Sequence, residues 1–200
     1  MIDLSKRVKF LHYYVYLNKS FKDDISWWLD YLPSWNGISA FQDDVWCSDN
    51  YLELYTDSSD IGIGAVFGHQ WFCESFTGPK ANYIEMSITW RELYAIVKAI
   101  STWGSELANK RILMHCDNVA VVYIVNSGTS RDTHIMKLVR ALFYIMAQYN
   151  IEIRVVHIDG IHNILSDALS RLRIDNFLNY RPNAPHMTLP RLFQYEDQLL

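Results

Sequence analysis

Between residues 51 and 172 the spacing of apolar residues changes period, and that change limits the chain to one class of fold. Three strand-length runs come first, at 51–57, 61–68 and 71–76, with Gly68-His69-Gln70 reading as a hairpin turn between the last two. Pro79 and Asn82 then mark a loop. From there the period becomes helical. A long helix is predicted over 89–107, with Leu93, Ile96, Val97 and Ile100 as its apolar stripe. A strand follows at 111–116, then a short helix at 118–126 that Gly128 stops. A further helix spans 133–148, with Ile135, Leu138, Val139, Leu142 and Ile145 on one face. Residues 151–158 read as a strand, Asp159-Gly160 as a turn and 164–172 as a last helix. The order is β-β-β-α-β-α-α-β-α. Hairpins followed by crossovers imply an α/β fold, a five-stranded mixed sheet with helices on both faces.

The flanks lack this regularity. Residues 1–50 are rich in Tyr and Trp and read as an extension packed on a domain. Asp23 or Asp24 is expected to cap a short helix carrying Trp27, Trp28, Leu29, Tyr31 and Leu32, with Pro33 after it and Trp35-Asn36-Gly37 as a turn. The domain proper is expected over 51–173. Residues 174–200, with Pro182, Pro185 and Pro190, read as a tail or linker.

Half of the 200 residues are hydrophobic, which excludes wholesale disorder. Cys47, Cys73 and Cys116 show no paired spacing, so a reducing intracellular compartment, cytoplasmic or nuclear, is expected. No apolar run is long enough to span a bilayer, and no membrane role is expected. The net charge of −4 argues against a general nucleic-acid-binding module. It allows an enzyme whose acidic metal site contributes to that charge. It also predicts weak substrate affinity for the chain alone, because phosphate neutralisation supplies much of such binding.

Four acidic residues carry the chemistry. Asp57 lies in Thr56-Asp57-Ser58-Ser59, with Gly62-Ile63-Gly64-Ala65 just beyond. Glu92 lies in Arg91-Glu92-Leu93, Asp117 in Cys116-Asp117-Asn118, and Asp167 in Ser166-Asp167-Ala168-Leu169-Ser170-Arg171. Two fall at predicted strand ends and two in the first turns of predicted helices, where α/β folds converge. Carboxylates so placed suit two hard cations beside a phosphodiester. Each also has a plainer reading. Thr89 and Glu92 fit a capping box. Asp57 suits a turn and Asp117 a cap for the next helix. Asp167 complements a helix dipole, and Asn163 suits an N-cap. His157, at a strand end, reads equally as a structural histidine. A zinc site from His115 and Cys116 lacks ligand spacing. Phe41-Gln42-Asp43-Asp44 has the look of a polymerase motif but sits 13 positions before Asp57, too close for a polymerase palm, and reads as a surface turn.

Together, in this order, these motifs resemble the ribonuclease H superfamily, and most of all the ribonuclease H domain attached to retroelement reverse transcriptases of the LTR and tyrosine-recombinase types. The resemblance implies cleavage of the RNA strand of an RNA–DNA hybrid by two Mg²⁺ ions, with Mn²⁺ as a substitute. Asp57 would bridge the ions, Glu92 and Asp117 would complete one site and Asp167 the other. It assigns His157, ten residues before Asp167, to proton transfer or product release, with His162 as a competitor for that role. It implies that Ser58, Thr89, Asn118 and Asn163 contribute to substrate binding. The expected partners are the hybrid and a polymerase domain of the same polyprotein. The short stretch at 127–133 replaces the basic protrusion that some cellular ribonucleases H use to grip the hybrid. Two rivals keep the scaffold but change the function: a catalytically silent or domesticated binding module, and a DNA-cleaving relative.

Overall fold

The computed structural model describes residues 13–35, 46–47 and 54–190. The chain divides into two compact units, Met1–Ser39 and Ala40–Leu200. The division falls earlier than the expected boundary at residue 50. Among the described residues no helix is long and apolar enough to cross a membrane.

The first unit holds helix α1, Lys19–Tyr31, followed by a 3₁₀ turn at Leu32–Ser34 that contains Pro33. Its N-cap is Asn18, whose Oδ1 accepts the Phe21 N–H at 2.9 Å. The expectation of Asp23 or Asp24 as cap is corrected: both lie inside the helix. Trp27 stacks on Tyr31 at 5.2 Å and meets Trp28 edge-on at 4.7 Å. The Asn36-Gly37 step and residues 41–44 lie outside the described residues.

Among the described residues the second unit is built on a sheet of six strands: β1 Trp46–Cys47, β2 Leu54–Ser58, β3 Gly62–Phe67, β4 Gln70–Ser75, β5 Arg111–Cys116 and β6 Glu152–His157. The sixth, β1, was not foreseen. It is two residues long and pairs parallel with the start of β5. The chain β2–β3–β4 is antiparallel, and β5 runs parallel to β2 and β6. The sheet is mixed, as the element order implied.

Helices α2 Ile88–Trp103, α3 Val119–Ser127 and α4 Thr133–Tyr149 cover one face. Their apolar residues join Leu54, Ile63, Ala65, Phe72, Ile112 and Met114 in the main core. The N-cap of α2 is Ser87, whose Oγ accepts the Trp90 N–H. Thr89 already has helical backbone, so the capping box expected from Thr89 and Glu92 does not form. Asn118, not Asp117, caps α3: its Oδ1 accepts the Ala120 and Val121 N–H groups. The loop expected near Pro79 is a 3₁₀ turn, Gly78–Glu85, held by buried Tyr83.

Helix α5, Ile164–Ser170, packs on the opposite face. It comes close because Gly64 has no side chain: a Cβ there would strike Leu169 and the Ser170 backbone. The α5 helix closes with Leu172 in the left-handed region, φ 55°, and paired bonds from Leu172 N to Leu169 O and Arg173 N to Ala168 O. This is a Schellman closure, here made by a residue with a Cβ.

The expected linker after Arg173 is structured. Helix α6, Ile174–Tyr180, buries Phe177 completely, 5.1 Å from the Trp71 ring. The following segment then straps the outer edge of β4. Trp71 N donates to Pro185 O, Met187 N donates to Trp71 O and the Trp71 indole donates to Ala184 O. Buried Lys98 donates to Pro190 O at 2.8 Å.

Candidate active site

Tyr55 of β2 stands opposite His115 of β5 in parallel register, and their rings stack at 6.2 Å. Both strands therefore run out at the same sheet end, with Asp57 and Asp117 each two residues further along. Asp57 pairs with Gly64 of β3, the glycine on which α5 rests. Ser170 of α5 is thereby brought over Asp57 and donates its hydroxyl to Oδ2.

Glu92 lies in the second turn of α2 and is 3 % exposed. Its Oε1 accepts the Ser58 N–H at 3.2 Å. Its Oε2 is buried with no hydrogen-bond partner among the described residues. A buried carboxylate oxygen without a donor is costly unless a cation or proton meets it. One Glu92 oxygen, one Asp117 oxygen and the Cys116 sulfur lie within 4.8 Å of one another.

Burial pushes the Asp57 carboxyl up to about 7, and the Asp117 and Asp167 charges add to the rise. The Ser170 hydroxyl and the Arg171 charge act in the opposite direction. Burial also holds Glu92 well above the usual carboxylate range, reinforced by Asp57 and Asp117. All four acids thus interact electrostatically at one sheet end. Asp167 is more open than the buried Asp57 and Glu92, its side chain 39% exposed. It lies in the first turn of α5, and its Oδ1 accepts the Arg171 Nε–H at 2.7 Å.

The donors suit a hard divalent cation: clustered carboxylate oxygens, mutually repelling and partly desolvated. Cys116 does not add to the set. Burial, then the Glu92 charge, raises its thiol far above neutrality, so it stays protonated and accepts the Asn118 N–H. A thiol is a poor partner for such an ion.

The family described as the RNase H-like domain found in reverse transcriptase matches residues 48–149. The chain belongs to this family. It is also similar to the enzymatic polyprotein of carnation etched ring virus, 26% identical over 136 residues, which cover 64% of this chain. They cover 20% of the viral protein, so the match spans about a fifth of that relative's length. The solved structure of RNase H1 from Halobacterium salinarum aligns with a TM-score of 0.47 at 14% identity, over 66% of this chain and 99% of that one.

In this RNase H-like domain the remaining residues singled out from sequence fall into two groups. His157 is exposed, the last residue of β6, with its Nε2 3.1 Å from the Asp117 carbonyl oxygen. It stands at the rim of the acidic cluster, whereas His162 lies in the next turn of chain. Thr89 is half-buried on α2. Asn118, Ser58 and Asn163 are engaged in structure. Asn118 caps α3, the Ser58 N–H serves Glu92, and Asn163 is buried, donating to Thr56 O at 3.0 Å and accepting the Ser166 hydroxyl. Asn163 fastens α5 to β2. Its side chain does not make the cap bond expected of it.

Sequence reasoning quoted Ser170, Arg171 and Arg91 within motifs and Gly160 within a turn, but gave none of them a role in the site. Ser170 and Arg171 hold Asp57 and Asp167. Arg91 donates to Ser59 O and Asp60 Oδ1, fixing the turn after Asp57, and Ser59 in turn donates to Ser170 O at 2.7 Å. A Cβ at Gly160 would come 3.2 Å from Asp117 Oδ2, so this glycine lets the β6–α5 loop pass the carboxylate. The i+3 and i+4 spacing of Ser170 and Arg171 from Asp167 was the one available signal.

Proposed function

We propose that this domain is a metal-dependent endonuclease cleaving the RNA strand of RNA–DNA hybrids, as the ribonuclease H part of a retroelement reverse transcriptase. The observation that carries the reading is the donorless, buried Glu92 Oε2 within a quartet of interacting carboxylates. That arrangement is costly for a purely structural site and suited to cations.

Asp57, Glu92, Asp117 and Asp167 would hold two Mg²⁺ ions, with Mn²⁺ as a substitute. When bound, such ions supply an activated water and stabilise the leaving oxygen. The chain's own contribution is to hold the carboxylates in register. Ser170 orients Asp57, the Ser58 N–H fixes Glu92, and β5 carries Asp117 to the same edge. His157 stands at the rim, open to solvent, where it can carry a proton or aid product release. Thr89, on α2 one turn before Glu92, and Asn118, next to Asp117, would meet the RNA 2′-hydroxyls through which RNA is told from DNA. Ser58 contributes through its backbone, and Asn163 supports the site by seating α5.

Similarity to a polyprotein five times the length of the matched region supports a polymerase domain of the same chain as the partner that supplies grip. The acidic net charge agrees with that need. All three cysteines are free, which agrees with work inside the cell, in cytoplasm or nucleus.

The test is cleavage of end-labelled hybrid, duplex DNA and duplex RNA with and without Mg²⁺, with Asp57→Asn as control. Metal-dependent loss of the hybrid's RNA strand, absent in the variant, is expected. Equal activity in the variant would overturn the assignment of cleavage to this acidic site, and none in either would leave a silent binding module. Preferred cleavage of duplex DNA would make the domain a DNA-cutting relative.

A further inference from the structure

A groove of about 420 Å³ runs between α5 and α6, lined by Asp167 and Ile164 on one wall and by Arg173, Asn176, Asn179 and Tyr180 on the other. We propose that it receives a single-stranded RNA segment continuing from the cleavage site, an inference that rests on the nuclease reading above.

Three observations converge on this occupant. The first is continuity. Asp167 belongs both to the acidic cluster and to the groove wall, so the groove opens directly beside the cluster. The second is chemistry. Phe177 anchors α6, and Arg173, Asn176 and Tyr180, at i, i+3 and i+7, form a stripe beside it that lines the groove. Tyr180 is 68% exposed, and Arg173, Asn176 and Asn179 are exposed as well. A guanidinium for phosphate, carboxamides for base edges and an open aromatic ring for stacking form a single-strand binding set. Ile164, 56% exposed, offers an apolar floor to a base. The third is need. The stretch at 127–133 is a short connection between α3 and α4, leaving no basic protrusion there to hold a substrate.

The groove exists because α5 ends abruptly. The left-handed Leu172 reverses the chain and sets Arg173 at the lip. A single strand fits better than a duplex, since the aromatic ring requires an unpaired base face.

Anisotropy in Ca²⁺ would compare a blunt RNA–DNA hybrid with hybrids carrying a short single-stranded RNA extension at either end. For the unaltered chain, one extension polarity should tighten binding by about ten-fold. Tyr180→Ala and Arg173→Ala should each erase that gain while leaving blunt-hybrid affinity and melting temperature unchanged. Tyr180→Phe should keep it. Equal binding of blunt and extended hybrids overturns the groove, as does a gain that survives both alanine variants. If the blunt hybrid is cleaved but extensions change nothing, the groove alone fails. If no hybrid is bound or cleaved, the groove and the nuclease reading fail together.

Discussion

Ser170 donates its hydroxyl to Oδ2 of Asp57 across 113 positions of sequence, joining the last core helix to the central strand at the acidic cluster. Its own carbonyl accepts the Ser59 hydroxyl, so the serine is itself held. Ser170→Ala frees the Asp57 carboxylate to rotate. Such outer contacts commonly alter metal affinity by about 10- to 100-fold. The expected outcome is a Mg²⁺ dissociation constant weakened to that degree, read by titration calorimetry, with Ser170→Thr restoring most of it. Unchanged Mg²⁺ affinity in the alanine variant would remove Ser170 from the site's support.

Asp57 gives a pH signature. Its carboxyl is raised to about 7 by burial, above its ordinary value near 3.8. The folded state therefore binds the proton more tightly than the unfolded state. The stabilisation is fully present below the unfolded value and is lost as pH rises through the folded one. Without metal, melting temperature should fall between about pH 4 and pH 7. Asp57→Asn should flatten that slope and melt several degrees higher near pH 8. Mg²⁺ should reverse the loss for the unaltered chain at high pH, because a cation takes the proton's place. Scanning calorimetry over this range, with and without Mg²⁺, checks both signs.

Gly64 is the second point of close approach. A methyl group there collides with Leu169 and the Ser170 backbone. Gly64→Ala should destabilise the fold by about 1–3 kcal/mol, in the range of overpacked cores. Because the displaced helix carries Asp167 and Ser170, the variant should also lose much of its thermal response to Mg²⁺. Urea melts with and without the ion measure the two effects separately.

Much of this architecture could be read from residue spacing, and the parts that could not share a cause. Strand β5 was placed with its observed ends because alternating burial leaves a strong period-two pattern. Helices α2 and α4 came within a few residues because long amphipathic stripes are unambiguous. Helix α6 was missed because one buried residue, Phe177, makes no period, and the prolines after it suggest a tail. The two-residue β1 is too short to leave a pattern. At the site, the four acids were visible as local motifs. Their supports were not, because the contacts of Ser170, Arg91 and Gly160 exist only once distant elements are packed.

His157 offers a separable test of the chemistry. It is exposed, and its ring Nε2 lies 3.1 Å from the Asp117 carbonyl oxygen. His157→Ala should change stability by no more than about 0.5 kcal/mol, as for other surface changes, read by thermal melting. Turnover of the hybrid should drop by about 100-fold if the ring moves a proton. A lower KM with little loss of maximal rate under single-turnover conditions would instead assign it to product release.

The strap over β4 sets where this polypeptide can be cut. Truncation at residue 173, the apparent end of the domain by sequence, would strip Trp71 of its indole acceptor and both backbone partners and leave the Lys98 ammonium without its carbonyl. A bare sheet margin with an uncovered tryptophan invites pairing with another molecule. Insolubility of a recombinant fragment trimmed there would then report a lost selvedge, and would say nothing about whether the domain cleaves a substrate.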